Sequence, residues 1–266
     1  MGEEKGRDER SVGKIVGATA VSSEPTGFRV ERRGDSALVT FARPPANALD
    51  IATLDALSRE VSRLASARTI VFSGDPHFCA GVSIADHVPE KIESMLAAMH
   101  GFLRALLEAP AFTIARVTGA CLGGGAEIAL ACDFVYAAED ARIGFPEIGL
   151  ACFPPAGAVL LPAAIGGPAA ADWLATGRTI SGREAERAGF ASRCASGAAL
   201  AGAVEMVVAE METRSAAALR ELAAVVRSPK RRLFEDSIAA SEEAYRRLAT
   251  SPELAEAVAA HAARKK

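Results

Sequence analysis

The hydrophobic pattern divides the chain into a region of alternating strands and helices followed by a region of helices alone. Apolar alternation predicts a hairpin of two strands at 27–32 and 36–41. Short apolar runs predict further strands, at 69–73, 112–118, 134–136 and 141–143. Apolar residues at helical spacing predict helices, at 51–66, 89–108, 155–165, 168–176 and 182–188. This order of elements predicts the α/β fold class.

The same pattern sets the expected domain organisation. Residues 1–26 are charged and then rich in Gly, Ser and Ala, without the apolar stretch of a secretory signal, so we interpret them as a mobile leader outside the fold. Residues 27–197 form the predicted core. Residues 198–266 form a predicted C-terminal helical region, with breaks near Ser228-Pro229 and Ser251-Pro252. A length of 266 residues suits one core domain with an appendage.

Composition narrows the class of protein. No apolar run approaches the roughly 18 residues that span a bilayer, so we expect no membrane partner. A formal charge of −3 argues against a nucleic-acid binder. The five cysteines include no Cys-x-x-Cys pair, which favours reduced, mostly buried thiols in a cytoplasmic protein. The four histidines show no metal-ligand spacing, so we expect no metal site.

The candidate chemistry centres on the glycine-rich stretch 119–127. An apolar run precedes it and an apolar, helix-permissive run follows it, which predicts a strand, a glycine turn and a helix. The N–H groups at such a helix start suit an oxygen that becomes negative during a reaction, and Glu127 in the first turn is placed to move a proton. Alternatively, the glycines only allow tight packing and Glu127 is an ordinary first-turn acid. This stretch alone leaves both interpretations open.

A second turn and a second carboxylate extend this candidate site. The small-residue turn at 78–83 also follows a predicted strand, and two N–H groups from separate turns are what an oxyanion hole needs. Glu147 lies in a Pro-Glu-Ile turn, where it is either a solvated surface charge or the partner of Glu127. Paired carboxylates hold one water between them, with one taking its proton while the other delivers a proton to the substrate.

Other sites receive less support from the pattern. The segment 81–85 approaches the nucleophile elbow of hydrolases, but Ala85 stands where the final glycine belongs, which disfavours a Ser83 nucleophile. His87 is either catalytic or a polar cap beside a helix start, and we favour the cap. The basic clusters 230–232 and 264–266 are typical of solvated helix faces, or of contacts with anionic phosphates.

The motifs together resemble the enoyl-CoA hydratase/isomerase (crotonase) superfamily over residue 27 to the C-terminus. Five blocks carry the resemblance in order, at 43–49, 78–84, 119–127, 145–150 and 176–189. The resemblance implies a crotonase-like spiral of ββα units with a C-terminal helical trimerisation region. It also implies a homotrimer or a dimer of trimers. No metal or redox cofactor is implied, because CoA enters as part of the acyl-CoA thioester substrate.

The resemblance assigns roles position by position. The N–H groups of Val82 and Gly124 match the oxyanion hole, with the thioester carbonyl between them. The backbones of Ala80, Val82 and Ile84 match the site that holds the CoA adenine.

Glu127 and Glu147 match both glutamates of the family's hydratases. Having both favours water addition or removal, with Glu147 protonating carbon while Glu127 helps to activate the water. Isomerisation of a double bond, or other CoA-enolate chemistry with one glutamate, is the alternative reaction. A non-enzymatic, RNA-associated paralogue is a third possibility, against which the acidic pI and the two glutamates speak.

Two departures from the family pattern concern substrate choice. Ser83 stands where the family usually has aspartate, and the segment 153–161 replaces a glycine-rich stretch with Phe-Pro-Pro and aliphatic residues. The second change reshapes the wall of the acyl pocket. A narrower group in the family, the cyclohexa-1,5-diene-1-carbonyl-CoA hydratases, resembles this chain in these features. The resemblance therefore implies a cyclic dienoyl-CoA substrate and a place in aromatic compound degradation.

Overall fold

The computed structural model describes residues 27–263 and arranges their strands in two sheets. In chain order the strands are β1 (Phe28–Arg33), β2 (Ser36–Phe41), β3 (Thr69–Gly74), β4 (Phe112–Val117), β5 (Ala120–Leu122), β6 (Phe134–Ala138), β7 (Arg142–Gly144), β8 (Thr179–Ser181) and β9 (Arg193–Ala195). The helices are α1 (Ile51–Arg63), α2 (Ile92–Glu108), α3 (Gly124–Ala131), α4 (Pro155–Ile165), α5 (Gly167–Thr176), α6 (Gly182–Ala188), α7 (Gly197–Glu212), α8 (Ala216–Ala249) and α9 (Pro252–Ala263). The predicted leader lies outside the described residues.

The larger sheet has the strand order β1-β2-β3-β4-β6-β9 and is parallel except for the first pair. Strands β1 and β2 form the predicted hairpin, with Phe28 opposite Phe41. The remaining neighbours are parallel. The smaller sheet has the order β5-β7-β8. Parallel neighbours require crossover connections, so the turns that follow β3 and β4 lie at the same end of the larger sheet.

Local signals place the start of α1 and both ends of α6 where the sequence predicts them, whereas α1 ends at Arg63, before the predicted residue 66. Asp50 caps α1, accepting a hydrogen bond from the backbone N–H of Thr53 at 2.9 Å. Ser181 and Glu184 form a reciprocal capping box at the start of α6, and Gly189 ends that helix in a left-handed conformation. The predicted helix at 89–108 begins later, at Ile92, because residues 89–91 form a 3-10 turn.

The predicted helix break near Ser228-Pro229 is wrong, because α8 runs without interruption through Pro229. Tertiary contacts on both sides of the proline hold the helix against the core. The guanidinium of Arg227, which is buried, donates to Asp133 at 2.7 and 2.6 Å and to the carbonyl oxygens of Ala109 and Ala111. Packing of this kind outweighs the cost of one missing N–H in a helix. The predicted break near Pro252 is confirmed, since α8 ends at Ala249 and α9 begins at Pro252.

The expectation of a solvated basic cluster at 230–232 is wrong for Lys230. Its ammonium donates to the carbonyl oxygens of Leu130 and Cys132, at 2.9 and 2.8 Å. These carbonyls lie at the end of α3, where the helix leaves backbone acceptors without partners. Lys230 therefore ties α8 to the helix that carries Glu127, whereas Arg231 and Arg232 are exposed.

The sequence patterns do not predict three of the short strands. Strands β5, β8 and β9 have three residues each, too few for an alternation to be seen. They form because pairing in the sheets satisfies their backbone groups, β5 and β8 on either side of β7, and β9 beside β6. The exact division between a core at 27–197 and a helical region at 198–266 stays a prediction.

Candidate active site

A cavity of about 550 Å³ lies where the turns after β3 and β5 meet α2, α4 and α8. Its lining includes the residues that the sequence singles out, which are Ala80, Val82, Ser83, Ile84, His87, Gly124, Glu127, Glu147 and Phe153. The polypeptide segments that contribute them are distant in sequence. Folding therefore brings the predicted site residues together in one place.

The glycine turn between β5 and α3 gives the cavity its floor. Gly123 has a φ of +54°, and a β-carbon there would overlap the Glu147 carboxylate. A β-carbon on Gly125 would overlap the backbone carbonyl of Cys79. Only glycine therefore allows the start of α3 to approach both the neighbouring turn and the second carboxylate. The packing interpretation and the catalytic interpretation of this turn are compatible, because the close packing is what forms the site.

The amides of Val82 and Gly124 face the same space. Leu49 pairs with the residues on either side of Val82, donating to Gly81 O at 2.9 Å and accepting from Ser83 N at 2.8 Å. In such a pairing the N–H of Val82 points away from Leu49, and it has no acceptor among the described residues. Gly124 begins α3, so its N–H has no acceptor within the helix. A β-carbon on Gly124 would lie 3.3 Å from Val82 N, which shows how near the two amides are.

Glu127 is buried, with 3% of its surface exposed. Its Oε1 accepts a hydrogen bond from the N–H of Gly157 at 2.7 Å, near the start of α4. Burial raises the pKa of Glu127 to about 7, against the opposing effect of the N–H groups of Gly157 and Ala156. The segment 153–161 thus supplies the N–H donors that orient the Glu127 carboxylate.

Glu147 lies across the glycine turn from Glu127. Its residue is partly exposed, yet its Oε2 atom is shielded from solvent and has no hydrogen-bond partner among the described residues. Burial raises the pKa of Glu147 to about 8, and the charge of Glu127 adds to the increase. Two facing carboxyl groups with raised pKa values share protons near neutral pH, so one can act as base while the other acts as acid.

The geometry does not assemble a serine nucleophile. The Nδ1 atom of His87 lies 3.0 Å from the backbone oxygen of Ser83, so the imidazole bonds to the main chain and not to the Ser83 hydroxyl. His87 follows the 3-10 turn at Ile84–Asp86 as its capping residue. His87 is therefore a capping residue, as preferred, but it lies at the end of a 3-10 turn and not at a helix start.

The wall opposite the two turns comes from the segments around α4 and α8. Phe153, Pro154 and Pro155 line the cavity, and Pro155 begins α4. The ring of Phe153 packs edge-on against Tyr245 of α8, with ring centroids 6.0 Å apart. The prolines restrict the backbone dihedral angles of this wall, and the rings of Phe153 and Tyr245 make it aromatic.

Sequence reasoning misses two polar residues of the cavity. His100 on α2 and Tyr245 on α8 both line it, and both are buried. A signal for His100 is present in the sequence, because it lies on the apolar face of α2 between Leu96 and Leu103. Tyr245 carries no such signal, since its position depends on how α8 packs against α2.

Three further observations concern the cysteines, metal ligands and membrane-spanning helices of the described residues. All five cysteines are free, and four of them are buried, as predicted. Among residues 27–263, no three His, Cys, Asp or Glu side chains are grouped so as to hold a metal ion. No helix in this part of the chain is long and apolar enough to cross a membrane.

Comparisons with known proteins agree with this geometry. The model of the enoyl-CoA hydratase/isomerase family matches residues 31–266. Cyclohexa-1,5-dienecarbonyl-CoA hydratase of Thauera aromatica is 37% identical over 173 residues, covering 64% of this chain and 67% of that protein. A solved enoyl-CoA hydratase/isomerase from Mycobacterium paratuberculosis superposes with a TM-score of 0.83, at 20% identity, over 90% of this chain and 99% of that one. An enoyl-CoA hydratase/isomerase from Pseudoalteromonas atlantica gives 0.82 at 24% identity, over 90% and 97%.

The family match covers most of the chain, and the solved structures share its fold. The expected crotonase-like fold with C-terminal helices is therefore confirmed. The chain belongs to the enoyl-CoA hydratase/isomerase family and is a hydratase-type enzyme.

Proposed function

We propose that this chain adds water to, or removes it from, an α,β-unsaturated acyl-CoA, and that the acyl group is a cyclic conjugated diene such as cyclohexa-1,5-diene-1-carbonyl-CoA. The observation that carries the reaction type is the pair of shielded carboxyl groups, Glu127 and Glu147, beside the unpaired amides of Val82 and Gly124. The rigid Phe153-Pro154-Pro155 wall and the resemblance to the Thauera aromatica hydratase support the cyclic acyl group.

In the hydration direction, the thioester oxygen accepts hydrogen bonds from the N–H groups of Val82 and Gly124. Ionised Glu127 removes a proton from a water as the water oxygen bonds to the electrophilic carbon. The electrons of the double bond move toward the thioester, whose oxygen becomes negative and is stabilised by the two amides. Protonated Glu147 then delivers its proton to the α-carbon, which re-forms the thioester carbonyl, and the proton held by Glu127 passes to Glu147 to restore both carboxyl groups before the next turnover.

The remainder of the substrate is bound by the turn at 78–84. The backbones of Ala80, Val82 and Ile84 contact the CoA adenine in this proposal, and all three residues line the cavity. The N–H of Ala80 already donates to Ala46 O at 2.9 Å, so its carbonyl is the group left for an adenine amine. CoA belongs to the substrate, and the proposed reaction uses no separate cofactor.

Isomerisation is the second candidate, because the matching family includes isomerases as well as hydratases. It needs only one carboxyl group to carry a proton from one carbon to another. The two reactions differ in product mass, since an isomer gains no water.

The test compares turnover of crotonyl-CoA and cyclohexa-1,5-diene-1-carbonyl-CoA by absorbance and product mass. We expect the diene to be hydrated with the higher kcat/KM, and Glu127→Gln and Glu147→Gln each to lower kcat by roughly 10²- to 10⁴-fold. Glu108→Gln, at an exposed glutamate outside the cavity, is the matched control. Wild-type rates in both cavity variants would rule out the proposed roles of the two glutamates. A higher kcat/KM for crotonyl-CoA would rule out the cyclic acyl group. A product with the same mass as the substrate would favour isomerisation.

We also propose that the chain forms a homotrimer or a dimer of trimers. Large apolar side chains are exposed on one part of α8, at Leu222, Val225 and Val226, and Met206 is exposed on α7. Clusters of this kind mark protein interfaces more often than free surface.

A further inference from the structure

The loop 43–49 pairs with the turn that carries Val82. Ala80 N donates to Ala46 O at 2.9 Å, and Leu49 bonds to the residues on either side of Val82. Neither connection uses the Val82 N–H, which stays free to meet a ligand. The direction of that amide therefore depends on the conformation of the loop, so the residue that fixes the loop also bears on the oxyanion hole.

Asn47 fixes this loop. It carries the only side-chain amide of the sequence, which has no other asparagine and no glutamine. Its φ of +55° is a left-handed conformation that asparagine tolerates better than most residues. Asn47 is 2% exposed and its amide is paired at both ends, since Oδ1 accepts from Arg43 N at 2.8 Å and Nδ2 donates to His77 O at 2.7 Å. Breaking either bond would leave a buried group without a partner, so the loop is held in one conformation.

His77 extends this connection to the second turn of the oxyanion hole. Its Nδ1 atom accepts a hydrogen bond from Ala120 N at 3.2 Å, and Ala120 begins β5, the strand that leads into the glycine turn. A β-carbon on Gly119 would overlap this Nδ1 atom, so the ring packs closely against the start of β5. An amide N–H only donates, so Nδ1 carries no hydrogen in this arrangement.

Main-chain contacts bring the same two turns together. Cys79 N donates to Ala120 O at 3.1 Å, and Cys79 O accepts from Leu122 N at 2.9 Å. A β-carbon on Gly81 would lie 2.9 Å from Leu122 O and 3.2 Å from Gly124 N. Because the turns are in contact, a shift of one relative to the other changes the spacing of the two amides proposed to bind the thioester oxygen.

We propose that Asn47 and His77 are positioning residues of the oxyanion hole, which set the spacing of the Val82 and Gly124 N–H groups. Neither of the two is among the described residues that line the cavity, so they act through the main chain that they hold. This inference rests on the proposed function, because it assumes that these amides bind the thioester oxygen. Misplacing a catalytic group by about 1 Å can cost about 10²-fold in rate, so residues that never touch the substrate can limit turnover.

The direct measurement is the carbonyl stretching frequency of a bound thioester. Hydrogen bonds from both amides weaken the C=O bond and lower this frequency. The probes are cyclohexanecarbonyl-CoA and butyryl-CoA, each labelled with ¹³C at the carbonyl. Both are saturated, so neither can be hydrated, and together they represent a cyclic and a linear acyl group. Isotope-edited infrared spectra of the wild-type complex should show a lower frequency than the same ester has in water.

Two substitutions of His77 separate its hydrogen bond from its bulk. His77→Leu removes the acceptor for Ala120 N, whereas His77→Asn keeps one, because Oδ1 of asparagine is attached to Cγ as Nδ1 is. We expect His77→Leu to return the carbonyl frequency toward its value in water. The same variant should lower kcat for hydration by about 10- to 100-fold and change KM by less than about twofold. His77→Asn should restore both the frequency and kcat.

Two substitutions of Asn47 test the other end of the connection. Asn47→Gly keeps the left-handed conformation accessible and removes both side-chain bonds. Asn47→Asp keeps the oxygen that accepts from Arg43 N but replaces the donor to His77 O with a second acceptor. We expect both variants to raise the carbonyl frequency and lower kcat as His77→Leu does. Because Asn47 is buried and its loss can unfold the loop, the two variants of the half-buried His77 are sufficient to decide the proposal.

Thr113→Val is the matched structural control. Thr113 is buried near the start of β4, at the end of that strand away from the glycine turn, and its hydroxyl bonds to Asp133 at 3.0 Å and accepts from Asp133 N at 3.1 Å. Losing these bonds should lower the free energy of unfolding without changing the carbonyl frequency or kcat. The same carbonyl shift in Thr113→Val would overturn the proposal, because it would show that a general loss of stability moves the thioester.

Two further results would contradict the positioning role. One is a wild-type carbonyl frequency and kcat in both His77→Leu and Asn47→Gly. The other is a lowered kcat with an unchanged frequency, since the oxyanion hole would then be intact.

The infrared test and the turnover test fail separately. Hydration with the wild-type carbonyl frequency in every His77 and Asn47 variant would refute the positioning role and leave the proposed reaction intact. A lowered frequency that depends on His77 and Asn47, in a protein that hydrates neither crotonyl-CoA nor the cyclic diene, would refute the proposed reaction alone.

Discussion

At the scale of single residues, the two glutamates differ in what holds them. Glu127 is anchored by the Gly157 N–H, whereas Glu147 has an unpaired Oε2 atom. Glu127, held by a neighbouring segment, is suited to fix the position of a water, and the Oε2 atom of Glu147 remains available to carry a proton. The structural difference therefore agrees with the separate roles proposed for the pair.

The raised pKa values of this pair predict a pH dependence of stability. A carboxyl group whose pKa is raised by folding stabilises the protein below its unfolded pKa, and this contribution is lost as the pH rises through the folded pKa. Stability is therefore lost between pH 4.5, the unfolded pKa of both groups, and the folded pKa values of about 7 for Glu127 and about 8 for Glu147. We expect the free energy of unfolding of the wild type to fall across this pH range, relative to that of the Glu127→Gln/Glu147→Gln variant, by up to about 8 kcal/mol.

Chemical denaturation at pH 4.5 and pH 8.5 measures this difference. The Glu108→Gln variant, altered outside the cavity, should follow the wild type at both pH values. Parallel pH dependence of the wild type and the double variant would show that the two carboxyl groups are not destabilised by folding.

At the scale of elements, the junction between β5 and α3 is the most constrained part of the site. It must place the first amide of α3 beside Val82, let Glu147 approach from the other side, and present Glu127 one turn into the helix. A glycine with positive φ, followed by two more glycines, meets these demands.

Gly123→Ala should therefore impair the site more than its small size suggests. The added β-carbon overlaps Oε1 of Glu147, and the φ of +54° is strained for alanine. We expect kcat/KM for hydration to fall by roughly 10²-fold or more, as for loss of an oxyanion-hole donor. Gly101→Ala is the matched control, because a β-carbon there meets nothing within 4 Å and lies in the helix α2.

The Gly101→Ala variant should keep full activity and gain stability, because alanine favours the helix by about 0.5–1 kcal/mol. Steady-state kinetics and thermal unfolding of both variants measure these effects. Full activity of Gly123→Ala would mean that Glu147 need not occupy its observed position.

At the scale of the whole molecule, the C-terminal helices contribute to the cavity as well as to the surface. Arg227 and Lys230 attach α8 to the core, and the same helix brings Tyr245 to the cavity wall and Glu242 to the ring of His100. The opposite side of α8 carries the exposed apolar residues Val225 and Val226. One helix thus links the acyl site to the surface proposed for assembly.

Light scattering should give a molar mass three or six times that of the 27.5 kDa chain. The double substitution Val225→Glu and Val226→Glu should lower that mass, because it places charge in the proposed apolar interface. Ala240→Glu, at an exposed site farther along α8, should leave the mass unchanged. A monomeric wild type would refute the proposed assembly, and an unchanged mass in the double variant would place the interface elsewhere.

Sequence by itself determined the elements whose causes are local. The hairpin of β1 and β2, the caps at Asp50 and Ser181 and the glycine turn at 123–125 follow from alternation, capping residues and conformational freedom, which act between near neighbours. The blocks that resemble the enoyl-CoA hydratase/isomerase family also lie in the sequence, and the family assignment followed from them.

The tertiary structure alone decided what depends on distant contacts. Pro229 continues a helix because Arg227 and its neighbours are held by the core, and Lys230 is engaged because the end of α3 offers carbonyl oxygens. Burial, which no single segment controls, raises the pKa values of Glu127 and Glu147. His100 and Tyr245 line one cavity for the same reason, since packing between helices far apart in the chain sets their positions.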